Sequence, residues 1–332
     1  MRARTEKLTE KLTEKLTDNA WVRFAARRSR RLLLSVWVLL TAAFGMIHLI
    51  PGDPVRAALG VAAPAELVAA RREQLGLDDP LWRQYLDYLG DLSAGRFGTS
   101  TVSGLPVSQV IAERYPATLE LAVYAFLVAV ALSVPLGLTM AVLTRGGRRR
   151  RLELGFTSTS VFFGAVPEFL VGAGLVYLFG VQLGLVPIAG RAGPDSYVLP
   201  VLALALGPAA VLARIMRVET LAVLDADYIR TARAKRLPDR RLYLRHALPN
   251  SVTATVTIAG LLLGGLVAAT VLVENVFAWP GLGSTIVQSI LAKDYPVVQG
   301  IVLIYGLGVL LVNLVVDVGL ALLDPRSTIR ES

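Results

Sequence analysis

A chain of 332 residues with 54% hydrophobic side chains and a mean hydropathy of +0.58 is more apolar than an ordinary water-soluble domain, whose hydrophobic share is about 45–50%. Its formal charge of +9 is spread over separate segments with no nucleic-acid-binding motif around them, which argues against nucleic acid as a partner and for contact with anionic membrane lipid. Zero cysteines remove disulfides, thiol nucleophiles and zinc clusters, and the two histidines, His48 and His246, lie far apart in sequence, so no metal site, catalytic triad or cofactor is expected.

In chain order, residues 1–31 form a basic tail in which Thr-Glu-Lys-Leu repeats three times. Leu8, Leu12 and Leu16 fall on one narrow helical stripe, while Glu6, Glu10 and Glu14 repel at i, i+4. A surface helix and a poorly ordered tail are both open readings, the repulsion favouring the tail. Residues 32–50 are the first of six stretches apolar enough to cross a hydrocarbon core of about 30 Å, which takes roughly 20 helical residues. The stretch is too long for a signal-peptide core and ends in Pro51-Gly-Asp-Pro54 with no small-x-small cleavage pattern, so a retained span is expected.

Residues 51–116 are too polar to lie in lipid and too short for a large independent domain. Helical spacing over Gln84-Tyr-Leu-Asp-Tyr-Leu89 and a turn at Gly95-Arg-Phe-Gly-Thr-Ser100 predict a short folded cap. The remaining spans are expected at 117–143, 156–180, 198–216, 252–273 and 301–323. Before the last of them, Trp279-Pro-Gly-Leu-Gly283 ends a helix and turns the chain, and a short re-entrant or interfacial helix is predicted over 284–291. Segments 1–31, 144–155, 214–250 and 324–332 hold 26 of the 34 Lys and Arg residues, which predicts that they, and both termini, are cytoplasmic.

A charge near mid-bilayer costs about 2.5–3.5 kcal/mol on insertion scales and normally faces protein or water. Glu168, beside Pro167 in the third stretch, and Asn313 with Asp317, four apart on one face of the sixth, are therefore the pore candidates. Helix-to-helix hydrogen bonding within the bundle is the competing account of the Asn313–Asp317 pair. Glu120, Glu274 and His48 sit near span ends, where snorkelling, capping or a structural role is expected.

The segment between the fourth and fifth stretches, 225–250, is charged enough to be solvated, yet Tyr228, Leu237, Leu242, Leu244 and Leu248 need a surface to rest on. Two short helices joined by a turn at 236–239 would provide one. A partner-binding surface and an ordinary amphipathic helix packed on the bundle both fit this spacing.

This segment resembles the cytoplasmic loop of binding-protein-dependent ABC transporter permeases, whose pattern is Glu-Ala-Ala, three residues, Gly, nine residues, then Ile-x-Leu-Pro. Arg230, Thr231 and Ala232 take the first three positions, Arg236 the Gly position and His246 the Ile position, while Leu248 and Pro249 match outright. Tyr228-Ile-Arg-Thr-Ala-Arg-Ala234 is more similar to the variant of the dipeptide, oligopeptide and nickel branch. The flanks resemble the first permease subunit of that branch in order: Leu49-Ile-Pro-Gly-Asp-Pro54, Gln74-Leu-Gly-Leu-Asp78, Phe97-Gly-Thr-Ser100, Pro116-Ala-Thr-Leu-Glu-Leu121, Phe277-Ala-Trp-Pro-Gly-Leu-Gly283, Asp294-Tyr-Pro-Val-Val298 and Leu323-Asp-Pro-Arg326.

The resemblance implies an all-α integral membrane protein of six transmembrane helices with the ABC type I importer permease fold, in a bacterial cell membrane. It implies a permease core over 117–323, an ATPase-coupling loop over 217–250 and a tail over 324–332. The loop residues it points to are Arg230, Thr231, Ala232, Ala234, Arg236, Arg240, Arg241, Arg245, Leu248 and Pro249. The implied partners are a second permease subunit forming a heterodimer, two ABC ATPase subunits and an external solute-binding protein that delivers a peptide-like or nickel-type solute. No Gly-x-x-x-x-Gly-Lys-Ser/Thr phosphate loop occurs in the chain, so ATP is expected to act through a partner and the chain itself is not expected to be an enzyme. A stand-alone secondary transporter or channel would share the six spans and the intramembrane carboxylates, but it would not need the basic loop ending in Leu248-Pro249. Where the pattern has Gly, Arg236 would meet a penalty of about 1–2 kcal/mol if the turn is left-handed.

Overall fold

The computed structural model describes residues 20–49, 55–56, 63–74 and 76–323; the Thr-Glu-Lys-Leu repeat, the Pro51-Gly-Asp-Pro54 turn and the tail from residue 324 lie outside them. Among the described residues the secondary structure is helical, apart from a single antiparallel bridge between Thr99 and Pro106. The helices are α1 (Ala20–Leu49), α2 (Ala65–Gln74), α3 (Leu81–Ser93), α4 (Val107–Thr144), α5 (Arg150–Ala165), α6 (Glu168–Leu175), α7 (Val198–Leu224), α8 (Asp227–Ala234), α9 (Leu248–Val276), α10 (Leu282–Leu291) and α11 (Tyr295–Leu323).

Five of these, α1, α4, α7, α9 and α11, are long and apolar enough to cross a membrane, and α5 with α6 makes a sixth if the bent pair is one span. The third apolar stretch is thus not a straight helix: α5 and α6 meet at 104°. Pro167 has no N–H to give and forces the residue before it out of the helical region, so Val166 is extended at φ −78°, ψ 127°. A wide π-turn, Val176–Gln182, continues α6.

Most spans outrun their apolar stretches. Helix α4 begins at Val107 rather than at residue 117, with Pro116 inside it, because Val107 and Ile111 bury themselves against Leu282, Val297 and Ile301 of α10 and α11. The cap and the bundle therefore share one continuous helix. The short helix expected over 284–291 is α10.

The centre of the bundle is α4 laid along α7, with α9 across both. Small residues make this close approach possible: Ala117, Ala125 and Ala129 of α4 face Ala203, Ala205 and Ala209 of α7. At Gly137 a Cβ would lie 2.5 Å from the Cβ of Met216 and 2.6 Å from the carbonyl oxygen of Ala213, so only glycine fits there. Helix α1 stays at the periphery, packed on α11 and touched by α3. One end of the bundle, here the basic end, carries 145–153 and 225–250; the other, the capped end, carries α3, α10 and the turns between them.

Candidate functional site

At the basic end, α7 stops at Leu224 and the chain turns through Asp225 and Ala226 into α8. Ile229 and Ala232 are buried among Leu224, Leu242 and Ala247, with Leu237 and Tyr243 packed alongside. The opposite face of α8 is left in solvent: Tyr228 is 46% exposed, and Arg230, Thr231 and Ala234 lie open beside it. Arg230 reaches back to Asp227 at 3.3 Å, an exposed pair of little energetic weight.

The turn after α8 is the predicted one in its strained form. Arg236 stands at φ +56°, its N–H bonded to the Arg233 carbonyl at 2.8 Å, while Leu237 N–H bonds to the Ala232 carbonyl at 3.3 Å. These two bonds make a Schellman close, whose left-handed position is usually glycine. The turn has kept its shape and placed an arginine in it. Pro238 then restarts a helical turn, Asp239–Arg241, and a π-turn, Leu242–Ala247, feeds α9. Arg240, Arg241 and Arg245 are exposed, Leu244 is 48% exposed, Leu248 is half-buried and Pro249 exposed. Of the loop residues to which the family resemblance points, Ala232 alone is buried; it belongs to the foundation, with Leu242, rather than to the outward face.

Two ion pairs missed in the sequence brace this end of the bundle. Arg145 donates to the Leu224 carbonyl at 2.9 Å and to Asp225 at 2.7 Å, closing the end of α7 from the turn after α4. Arg217 donates to Glu153 at 2.6 Å and to Thr144 at 3.0 Å, joining α7, α5 and α4. The available signal was a lone acid, Glu153, after four consecutive arginines, Arg148, Arg149, Arg150 and Arg151.

The three pore candidates do not come together. Glu168 is in the first turn of α6, directly after the break, half-buried and without a hydrogen-bond or ion-pair partner among the described residues. A carboxylate there is favoured by the unpaired N–H groups of the helix start. Asp317 is ion-paired with Arg28 of α1, and Asn313 lies over Gly264 of α9, its Oδ1 3.0 Å from where a Cβ would stand. Both therefore sit at contacts among α1, α9 and α11.

At the capped end the carboxylate of Glu274 is fully buried rather than snorkelling. It accepts bonds from Thr118 Oγ1 at 2.7 Å and from the N–H groups of Gly283 and Ser284 at 2.7 and 3.1 Å, capping α10. Trp279 Nε1 donates to the Ala117 carbonyl, so two motifs far apart in sequence close one knot. Asp294, also buried, accepts from the Ser100 hydroxyl and from the N–H and hydroxyl of Thr101. Glu120 accepts from Arg191 at 2.6 Å and Tyr197 at 2.8 Å; Arg191 also donates from Nε to the Tyr197 hydroxyl oxygen at 2.8 Å, and that bond helps hold its guanidinium above its ordinary pKa. His48 bonds to the Phe44 carbonyl and to Gln84. Burial pushes the neighbouring Tyr88 hydroxyl up to about 12, keeping it neutral.

With this geometry in view, the relatives are informative. The family described as binding-protein-dependent transport system inner membrane component matches residues 133–329, and its N-terminal companion matches 21–122. The glutathione transport system permease protein GsiC of Salmonella typhimurium is 39% identical over 304 residues, 92% of this chain and 98% of that protein. Its Escherichia coli K12 counterpart is 37% identical over the same shares. Among solved structures, the MetNI methionine ABC transporter in an inward-facing form has a chain that aligns with a TM-score of 0.56 at 18% identity, covering 65% of this chain and 97% of that one.

Proposed function

Because this chain belongs to the binding-protein-dependent transport system inner membrane component family, and is a multi-pass inner-membrane permease of the ABC importer type, we propose that its 225–250 segment is the seat of a separate ATPase. The observation that carries this is the division of α8: Ile229 and Ala232 anchor it, while Tyr228 and, in the following turn, Leu244 stay uncovered, and Arg230, Arg240, Arg241 and Arg245 of the same segment are exposed. Uncovered apolar side chains accompanied by arginines are what a helix-in-groove contact uses. On this reading the segment is cytoplasmic, as the distribution of Lys and Arg predicts, and α3 and α10 face outward.

The coupling route is short. From Asp239 to Val276 the chain is one helical run of 38 residues, about 57 Å, from the seat to the Glu274 knot. A tilt imposed at its basic end is delivered to the capped end as rigid-body rocking, the geometry of alternating access. A second permease subunit completes the pore, an external solute-binding protein delivers the cargo, and the kinship with the glutathione permeases points to a peptide-like solute. Glu168, at the break in a discontinuous span, is the pore residue favoured by this reading.

Co-expression with the ATPases encoded beside this chain, followed by purification in detergent, tests the proposal. Tyr228→Asp with Leu244→Asp alters only exposed positions and is expected to lose the ATPase that the unaltered chain retains. If the altered form retains the ATPase as the unaltered chain does, the seat lies elsewhere on the chain.

A further inference from the structure

Helix α3 exposes a second apolar surface that the importer reading does not use. It has no buried residue, and Leu81, Trp82 and Leu86 are 60%, 65% and 58% exposed. At 100° per residue its sequence divides into three sectors. Tyr85, Tyr88 and Leu92 form the first, which turns toward α1: Phe44 meets Tyr85 edge-on at 5.2 Å and Tyr88 at 5.6 Å. Trp82, Leu86 and Leu89 form the second, immediately beside it, and Arg83, Asp87 and Asp91 the third, of which Asp87 and Asp91 line an open cleft together with Phe44, His48 and Tyr88.

The depth of this helix is set by one hydrogen bond. The Tyr85 hydroxyl lies 2.8 Å from Thr41 Oγ1, and because Thr41 uses its own proton on the Trp37 carbonyl, Tyr85 is the donor. Thr41 stands five residues inside Met46, the last residue of the part of α1 that is long and apolar enough to cross a membrane, so the contact is about 8 Å from that end. A tyrosine side chain reaches only a few ångströms, so α3 lies alongside that end of α1. The α1 face it rests on is itself lipid-like: Trp37 and Val38, next to Thr41 along the helix, are exposed, and α1 packs chiefly on α11.

We infer that α3 is an interfacial helix whose Trp82–Leu86 face is seated in the lipid of the leaflet nearest the cap, with Arg83, Asp87 and Asp91 turned to water. The occupant is lipid because the uncovered sector continues the exposed face of α1 at the same depth. A tryptophan at that level, with a charged arc on the opposite side, is the pattern of a helix lying in the bilayer boundary. Such a seat adds lipid to the α1 contact in holding the cap at a fixed height above the pore mouth.

The absence of cysteine makes the test direct. Leu86→Cys, Trp82→Cys and Arg83→Cys, each carrying a nitroxide, are placed in lipid nanodiscs as the full chain with the subunits that co-purify with it, and collisions with oxygen and with a water-soluble nickel chelate are compared. Oxygen is expected to dominate at 86 and 82, and the order to reverse at 83. Nickel access at 86 and 82 equal to that at 83 overturns the inference. So does shielding of 86 and 82 from both reagents, which would mean that a protein surface covers them.

Discussion

The two ends of the bundle handle polar groups in opposite ways. At the capped end, Glu274, Thr118, Ser284 and Asp294 are buried with their hydrogen bonds made, and Trp279 and Phe277 fill the space around the Glu274 knot. At the basic end, the arginines of 230–245 stand in solvent and two apolar side chains, Tyr228 and Leu244, are uncovered. A buried, satisfied network has one low-energy arrangement, since any displacement strands donors without acceptors. An exposed amphipathic segment has no such penalty and is free to pair with another surface. Rigidity is concentrated in one end and adaptability in the other, joined by the continuous helical run through α9.

The contrast is broken most severely at Glu274. Glu274→Ala leaves the Thr118 hydroxyl and two backbone N–H groups without their acceptor, and the loss is expected to be about 3 kcal/mol or more, read as a fall in thermal unfolding midpoint in detergent. A change below about 1 kcal/mol would show that the knot is not a rigid point. Next is Gly283→Ala, whose Cβ would lie 2.5 Å from the Val271 Cα; overpacking there should cost about 1–3 kcal/mol in the same assay.

At the basic end the sign reverses. Arg236→Gly removes a side chain from a left-handed position and should stabilise by about 0.5–1 kcal/mol, seen as slower proteolysis of the 235–238 turn. A loss of stability would mean that the arginine makes a compensating contact. The smallest effect is expected for Tyr228→Ser and Leu244→Ser, within about 0.5 kcal/mol of the unaltered chain. A larger fall would make these side chains part of the fold rather than an open surface.

Hydropathy found the five long spans and the apolar run that breaks into α5 and α6, because the need for internally satisfied backbone in lipid leaves a long apolar run little choice but helix. Turn chemistry was legible in part for the same local reason: the break before α10 follows from Pro280 and the glycines after it, whereas the sequence left open whether the turn at 236 is left-handed, which Arg236 at φ +56° answers. The bend at Val166-Pro167 was missed because a proline inside an apolar run is compatible with either a straight or a broken span. Helix ends were also missed, since Val107 and Ile111 look polar in context until Leu282, Val297 and Ile301 are brought beside them.

The site was legible in outline and not in detail. Arg230, Arg236, Arg240, Arg241 and Arg245 are outward as their charge implied, and Thr231 is exposed beside them, yet Ala232 is foundation, and the Arg145–Asp225 and Arg217–Glu153 pairs went unread. By itself the sequence determined the all-helical membrane architecture, the basic loop and the kinship that its ordered motifs carry, since periodicity, apolar length and turn residues act over a few neighbours. Only the tertiary structure decided which acids are knots and which stay unpartnered, that Asp317 pairs with Arg28 while Glu168 finds no partner among the described residues, and that α3 rests on α1 through Tyr85 and Thr41. Those outcomes depend on groups tens to hundreds of residues apart meeting at hydrogen-bond distance, and no local pattern in the chain encodes that meeting.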